Sequence, residues 1–391
     1  MVARGKLTQA RPLKLPCNLN KKLIKQINKK IDPSVEKPHD THVFFDHSFF
    51  GDSVALNMAF SLLAVFILTW VLTWGLRRYA LAKHVLDIPN SRSAHTEPTP
   101  RGGGLGFVVA VLIAVPYLGY LGFLVPSGSI ALVCAGVFIA SLGFLDDHGH
   151  VGTAWRLLGH AVAAALALYW VGGMPALMIL GWVIDPSLFV NVLALFYLVW
   201  LLNLYNFMDG IDGLAGIEAV SVCVGMAGLY WLAGDEGLMV LPLILASSVL
   251  GFLCWNFPVA RIFMGDAGSG FLGFIFGVLS IQAAHVNSAF FWSWLILLGV
   301  FIVDASVTLF WRSMRCEKIY QAHSTHAYQH ASRRFGSHQP VALRVLLINV
   351  AWLFPLAGCV GLGYLEGILG FFIAYTPLII LAFVFKAGRT S

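Results

Sequence analysis

The residues of this chain best equipped for chemistry are aspartates set in three glycine-rich segments. Asp146 and Asp147 end GFLDDHGH, Asp209 and Asp212 lie in NLYNFMDGIDGLAG, and Asp266 lies in NFPVARIFMGDAGSG. Each Asp taken alone reads as a helix cap, but that reading weakens for three such segments together. Carboxylates converging at a membrane surface repel one another, so either their pKa values rise or a cation joins them. Oxygen donors without thiolates suit Mg²⁺ or Mn²⁺. Adjacent Asp146 and Asp147 diverge by about 100° on a helix, which suits separate jobs better than joint chelation. Asp209 and Asp212 are three apart and would share a face if helical. The neighbouring Gly210, Gly213, Gly265, Gly268 and Gly270 let a ligand approach the main chain. A helix starting there aims its first N–H groups at phosphate.

Cationic segments complement these acids. The stretch from Asp87 to Arg101 holds three prolines, two arginines and His95, and reads as a rigid, phosphate-facing strap. His323, His326, His330 and His338 stand among Arg and Lys. His323 and His326, three apart, could face one ligand, and the cluster favours anion binding over simple solvation. Asp304 falls inside an apolar run, where a charge is functional by default, with an interhelical hydrogen bond as the alternative.

These residues must be carried by membrane helices. Hydrophobic residues make up 58% of the 391 and charged residues 11%, with a mean hydropathy of +0.79. Soluble chains carry about 25% charged residues, so a cytosolic enzyme, a nucleic-acid-binding domain and a disordered chain are excluded. No nucleic-acid partner is expected. The expected fold is an all-α polytopic integral membrane protein of about eleven spans. They run over 58–75, 104–124, 130–145, 157–172, 188–204, 214–233, 238–255, 268–284, 289–311, 343–364 and 368–386, the fourth and eighth being the shortest. The six cysteines form no CxxC pair, so no disulfide framework or zinc site is expected.

Charge sets the orientation. Residues 1–57 hold ten Lys/Arg and five Asp/Glu, and so account for most of the net charge of +6. All 15 basic residues after Met58 fall on one side by parity of the spans. The positive-inside rule makes that side, and the C-terminus, cytoplasmic, and the N-terminus periplasmic. Residues 1–57 lack an apolar signal core. They are expected to be a basic extension, dispensable or arising from a mis-assigned start, ahead of one transmembrane catalytic domain over 58–391.

The patches DIPNSRSAHTEPTPRGGG, GFLDDHGH, NLYNFMDGIDGLAG, NFPVARIFMGDAGSG and the His-containing last loop, in this span order, resemble the polyprenyl-phosphate N-acetylhexosamine-1-phosphate transferases. The resemblance runs from Met58 to about His338. AHSTHAYQH looks most like the O-antigen-initiating branch, thought to use 6-deoxy sugars such as UDP-FucNAc or UDP-QuiNAc. The resemblance implies transfer of sugar-1-phosphate from a UDP-N-acetylhexosamine, either UDP-GlcNAc or such a 6-deoxy sugar, to undecaprenyl phosphate, releasing UMP and requiring Mg²⁺. It implies a bacterial inner-membrane location amid lipid, and is compatible with a homodimer. By motif, Asp146 and Asp147 match the catalytic acidic pair, and Asp266, with Asp147, the metal ligands. Asn206, Asp209 and Asp212 match the nucleotide and diphosphate site, while Asn256 and Phe263 match the uridine positions, Phe263 stacking on the base. His323, His326, Arg101 and His95 complete the substrate-binding set. The histidines form HxxH here, where other branches have HxHH or HHH.

Three rivals fit less well. An ion-coupled transporter would place carboxylates near the midplane and show internal repeats. A CDP-alcohol phosphotransferase would follow its Asp-Gly with Ala-Arg, which DGIDGLAG lacks. A non-catalytic scaffold would not need the full motif set.

Overall fold

A computed structural model describes residues 52–89, 97–124, 126–149, 151–318 and 323–389. The basic extension, apart from its last few residues, and His95 lie outside them. Among the described residues the chain is a bundle of apolar helices, a multi-pass membrane architecture.

The helices are α1 (Asp52–Ala82), α2 (Leu105–Tyr120), α3 (Pro126–Gly149), α4 (Thr153–Val171), α5 (Leu188–Met208), α6 (Leu214–Ala233), α7 (Glu236–Asn256) and α8 (Asp266–Val286). They continue as α9 (Ser288–Leu297), α10 (Gly299–Met314), α11 (Ala327–Phe335), α12 (Gln339–Ile348), α13 (Phe354–Gly361) and α14 (Gly367–Val384). A π-helical turn, Asn349–Leu353, joins α12 to α13.

Among the described residues, nine helices or continuous runs are long and apolar enough to span a membrane, or ten if the bent pair α9–α10 is one span. The eleven expected spans each find a helical counterpart, with three differences. The fourth and eighth, α4 and α8, reach 19 and 21 residues, because each helix runs on into polar residues that a hydropathy window trims away. The short helix is instead the second, α2, at 16 residues. The ninth run is broken at Leu298 into α9 and α10, bent by 67°.

The expectation of an all-α chain also misses two small sheets. Strands β1 (Leu86–Asp87) and β2 (Thr99–Pro100) pair antiparallel. Strands β3 (Leu177–Ile179) and β4 (Trp182–Ile184) form a hairpin. Its two-residue turn, Leu180-Gly181, has φ +50° and +79°, the geometry whose twist matches that of the strands.

Helix α8 is the axis of the bundle, with 94% of its most apolar stretch buried among α3, α5 and α9. Small residues permit this. A Cβ on Gly143 of α3 would lie 2.5 Å from the Ala267 backbone, and one on Gly104 would lie 2.7 Å from Gly268. The helices carrying the motif aspartates therefore approach backbone to backbone.

The two ends of the bundle carry different loops. At one end, Arg77 Nε donates to the Arg261 carbonyl (3.1 Å) and the Gly388 N–H donates to the Thr325 carbonyl (2.7 Å). At the other, the Leu180 N–H donates to Glu366 (3.0 Å), and His285 Nε2 lies 3.0 Å from the Gly173 carbonyl.

Candidate active site

Asp147 sits in the last turn of α3 with its side chain 1% exposed. Its Oδ1 accepts from the Asp266 N–H (3.0 Å) and its Oδ2 from the Ala267 N–H (3.4 Å). It thereby serves the first N–H groups of α8, which have no partner inside their own helix and lie at the positive end of the helix dipole. The preceding Gly265 has φ +79°, and a Cβ there would lie 2.6 Å from Asp147 Oδ2. Only glycine meets both demands.

Two arginines knit the acids together. Arg101 Nη2 lies 2.6 Å from Asp147 Oδ1 and 3.2 Å from Asp266 Oδ1. Arg156, in the first turn of α4, lies 2.6 Å from Asp146 Oδ2 and 3.4 Å from Asp266 Oδ2. Asp146 Oδ1 accepts from the Val151 N–H (2.8 Å), so the two adjacent aspartates do face different partners. Burial opposes charge on Arg101, but Asp147 and then Asp266 outweigh it and raise its pKa. Sequence reasoning used Arg156 only for topology. The available signal was its place ten residues after Asp146, opening the next helix.

Asp209 follows α5, and its carboxylate makes no hydrogen bond to a described residue. Burial, then the charges of Asp266 and Asp147, push its pKa up to about 7, with Arg101 opposing. Asp209 thus belongs to the same electrostatic site as the α3–α8 cluster. Asp212 points elsewhere: its Oδ2 accepts from the Ala260 N–H (3.0 Å), and its Oδ1 lies 3.1 Å from His338 Nδ1. Asn206 is half-buried one turn before Asp209.

Asn256, only 3% exposed, accepts from the Gly213 N–H (2.9 Å) and donates to the Ile262 carbonyl (3.0 Å). Both ends of its amide brace the DGIDG turn against the segment 257–262. Phe263 is half-buried. Its N–H donates to the Pro100 carbonyl and its carbonyl accepts from the Gly103 N–H (2.8 and 2.9 Å), tying this segment to Arg101.

His323 and His326 do come together, their rings stacked at 4.8 Å. Asp304 of α10 holds this loop. Its Oδ1 accepts from the Ala327 N–H (2.8 Å) and its Oδ2 from the Tyr328 N–H (2.9 Å). His326 Nδ1 lies 3.3 Å from Asp304 Oδ1, an arrangement that orients the ring and directs Nε2 chemistry elsewhere. The interhelical hydrogen-bond alternative for Asp304 therefore describes its contacts. Burial, then His326 and Arg312, push the His323 pKa down to about 3, so its imidazole is neutral at physiological pH. The Tyr328 hydroxyl donates to the Phe207 carbonyl (3.0 Å), closing the histidine loop onto the turn that bears Asp209.

As for a metal, the carboxylates of Asp146, Asp147 and Asp266 offer oxygen-only donors that fit Mg²⁺ chemistry. Among the described residues, no group of three His, Cys, Asp or Glu side chains forms a ready ligand set. Arg101 and Arg156 bridge the acids instead.

Part of the chain matches a family model. Residues 129–284 match the glycosyl transferase family 4 model, a stretch holding Asp146, Asp147, Asp209, Asp212 and Asp266. That stretch is similar to this family. It is 32% identical over 263 residues to a decaprenyl-phosphate N-acetylglucosaminephosphotransferase of Mycolicibacterium smegmatis, covering 63% of this chain and 65% of that protein. It is 28% identical over 303 residues to a probable undecaprenyl-phosphate N-acetylglucosaminyl 1-phosphate transferase of Bacillus subtilis, covering 74% and 80%. A Thermotoga maritima undecaprenyl-phosphate alpha-N-acetylglucosaminyl 1-phosphate transferase is 27% identical over 219 residues, covering 55% and 62%. The chain thus spans just under two thirds of the length of the Mycolicibacterium and Thermotoga relatives. The matched region places its acids where α3 and α5 end and where α8 begins.

Proposed function

We propose that the chain transfers N-acetylhexosamine-1-phosphate from a UDP-sugar to undecaprenyl phosphate at the cytoplasmic face of a bacterial inner membrane. The observation that carries this reading is the convergence of Asp146, Asp147, Asp266, Arg101 and Arg156 at one end of an apolar bundle. A lipid-borne phosphate and a soluble nucleotide meet at such a boundary. The activities for which the relatives are named support the same reaction.

In the reaction, a lipid-phosphate oxygen attacks the sugar-bearing phosphorus of the UDP-sugar. The bond from that phosphorus to the bridging oxygen breaks, and UMP leaves with that oxygen. A phosphate monoester oxygen is already nucleophilic, so the protein's task is positioning and charge compensation. Arg101 and Arg156 are placed to exchange a carboxylate partner for a phosphate oxygen. Because Asp147 is taken up by the start of α8, Asp266 and Asp146, rather than the Asp266 and Asp147 expected from the motif, would hold Mg²⁺, which when bound offsets the negative charge of the diphosphate. Asp147 anchors the start of α8. Its burial and its three donors favour direct displacement over a covalent intermediate on that residue. His323, His326 and Phe263 would receive the donor substrate. The sugar is GlcNAc, as named for the relatives, or a 6-deoxy sugar such as FucNAc or QuiNAc, to which the likeness of AHSTHAYQH to the O-antigen-initiating branch points.

The test is to incubate purified protein and Mg²⁺ with undecaprenyl phosphate and UDP-GlcNAc, UDP-FucNAc or UDP-QuiNAc, then identify the lipid product by mass spectrometry. One sugar should yield a lipid diphosphosugar with stoichiometric UMP. Asp266→Asn and Asp147→Asn should each abolish it while leaving a folded membrane protein. Absence of UMP with every sugar would overturn the reading.

A further inference from the structure

The last helix carries no sequence motif, yet its end reaches the histidine loop. After Val384 the chain turns. Phe385 packs its ring 6.2 Å from that of Phe335 at the end of α11, with the Arg334 guanidinium 6.0 Å above it. The Ala387 N–H returns to the Ala382 carbonyl (2.8 Å), and Ala387 is buried. The Gly388 N–H then donates to the carbonyl of Thr325 (2.7 Å), one of the two residues between His323 and His326. His330 Nε2 donates to the Arg389 carbonyl (3.1 Å). Its Nδ1, the acceptor of that tautomer, takes Arg333 Nη2 at 3.2 Å, while Arg333 also donates to the Ser324 carbonyl (2.8 Å).

Gly388 is a point of no tolerance. Its φ is +75°, and a Cβ would lie 2.7 Å from the Thr308 carbonyl oxygen and 2.9 Å from Trp311 Cβ. Both neighbours belong to α10, whose Asp304 holds the other side of the same loop. A side chain at 388 cannot enter without moving the turn away from Thr325.

We propose that the turn Phe385–Arg389 is a positioning strap for the His323–His326 loop, with Gly388 as the residue that lets it engage. Asp304 fixes the loop from α10, while the strap fixes its opposite edge through Thr325 and, by way of His330 and Arg333, Ser324. These residues touch no substrate. They act through the two histidines, and this role rests on the reaction proposed above. His330, first read as part of an anion-binding group, is committed to the strap.

The test combines kinetics with hydrogen exchange on the full chain. Gly388→Ala should speed amide exchange in peptides covering 323–335 and leave those covering α6–α8 unchanged. It should raise the KM for the UDP-sugar about tenfold, within the hundredfold that a misplacement of ~1 Å can cost, and leave the KM for undecaprenyl phosphate in place. His330→Ala should show the same split. His330→Gln, whose amide can still donate to the Arg389 carbonyl, should restore both readouts should Gly388→Ala fail to fold. Unchanged exchange over 323–335, or equal KM shifts for both substrates, overturns the strap. If the wild-type protein releases no UMP with any UDP-sugar, the proposed reaction falls, and the exchange readout still decides the strap.

Discussion

At the scale of single residues, the site is built from side chains with more than one commitment. Asp147 and Asp304 lie on different helices, yet each caps the start of another one, α8 and α11. Capping of this kind is usually local in sequence. Here the acceptors come from 119 positions before Asp266 and 23 before Ala327, so each tertiary contact also satisfies a helix end. His323 makes the neighbouring prediction. Its pKa is depressed from the ordinary 6.5 to about 3 by burial and nearby cations, so between those values the unfolded chain binds the extra proton. Stability from the neutral ring is therefore complete above pH 6.5 and is lost as pH falls toward 3. The melting-temperature advantage of wild type over His323→Gln in detergent should shrink between pH 6.5 and 4. A constant gap would show that His323 titrates normally.

At the scale of elements, the geometry depends on how closely α3 and α8 approach. Gly143 lies one turn before Asp147, against the Ala267 backbone. Gly143→Val would insert a branched side chain where no Cβ fits. Overpacking costs of about 1–3 kcal/mol are typical, but the functional cost should exceed the stability cost, because separating the helices draws Asp147 away from the N–H groups of Asp266 and Ala267. UMP release should fall more than about tenfold, while thermal melting shows a protein that still folds. Activity near wild type would mean that the cluster tolerates a wider spacing. The broken run at α9–α10 also belongs to this scale. Its hydropathy is continuous, so no composition signal marks the 67° bend. The bend follows from packing, with Gly299 just past the break against Tyr375 and Leu378 of α14.

At the scale of the molecule, by parity of the expected spans every basic residue after Met58 falls on the side of the aspartate-bearing loops. That side should face the cytoplasm. Cys316, exposed in a turn after α10, reports on this directly. With Cys316 as the sole cysteine, a membrane-impermeant maleimide should label inverted vesicles and not intact spheroplasts. The reverse pattern would turn the molecule over.

The sequence by itself determined the membrane class, the positions of all eleven apolar runs and the identities of the acidic motifs, because hydropathy and glycine–aspartate spacing are local properties of the chain. It also brought His323 and His326 together, although the segment between them is not helical and their stacking is set by the loop that Asp304 holds. It did not reveal that Arg156 bridges Asp146 to Asp266, that Asn256 braces two backbone segments, or that Gly388 reaches Thr325. Those partners lie far apart in the chain, and only packing decides which side chains meet. The tertiary structure alone decided how the charges are distributed, because burial and neighbouring charge, not residue type, set whether Asp209 or His323 is ionised.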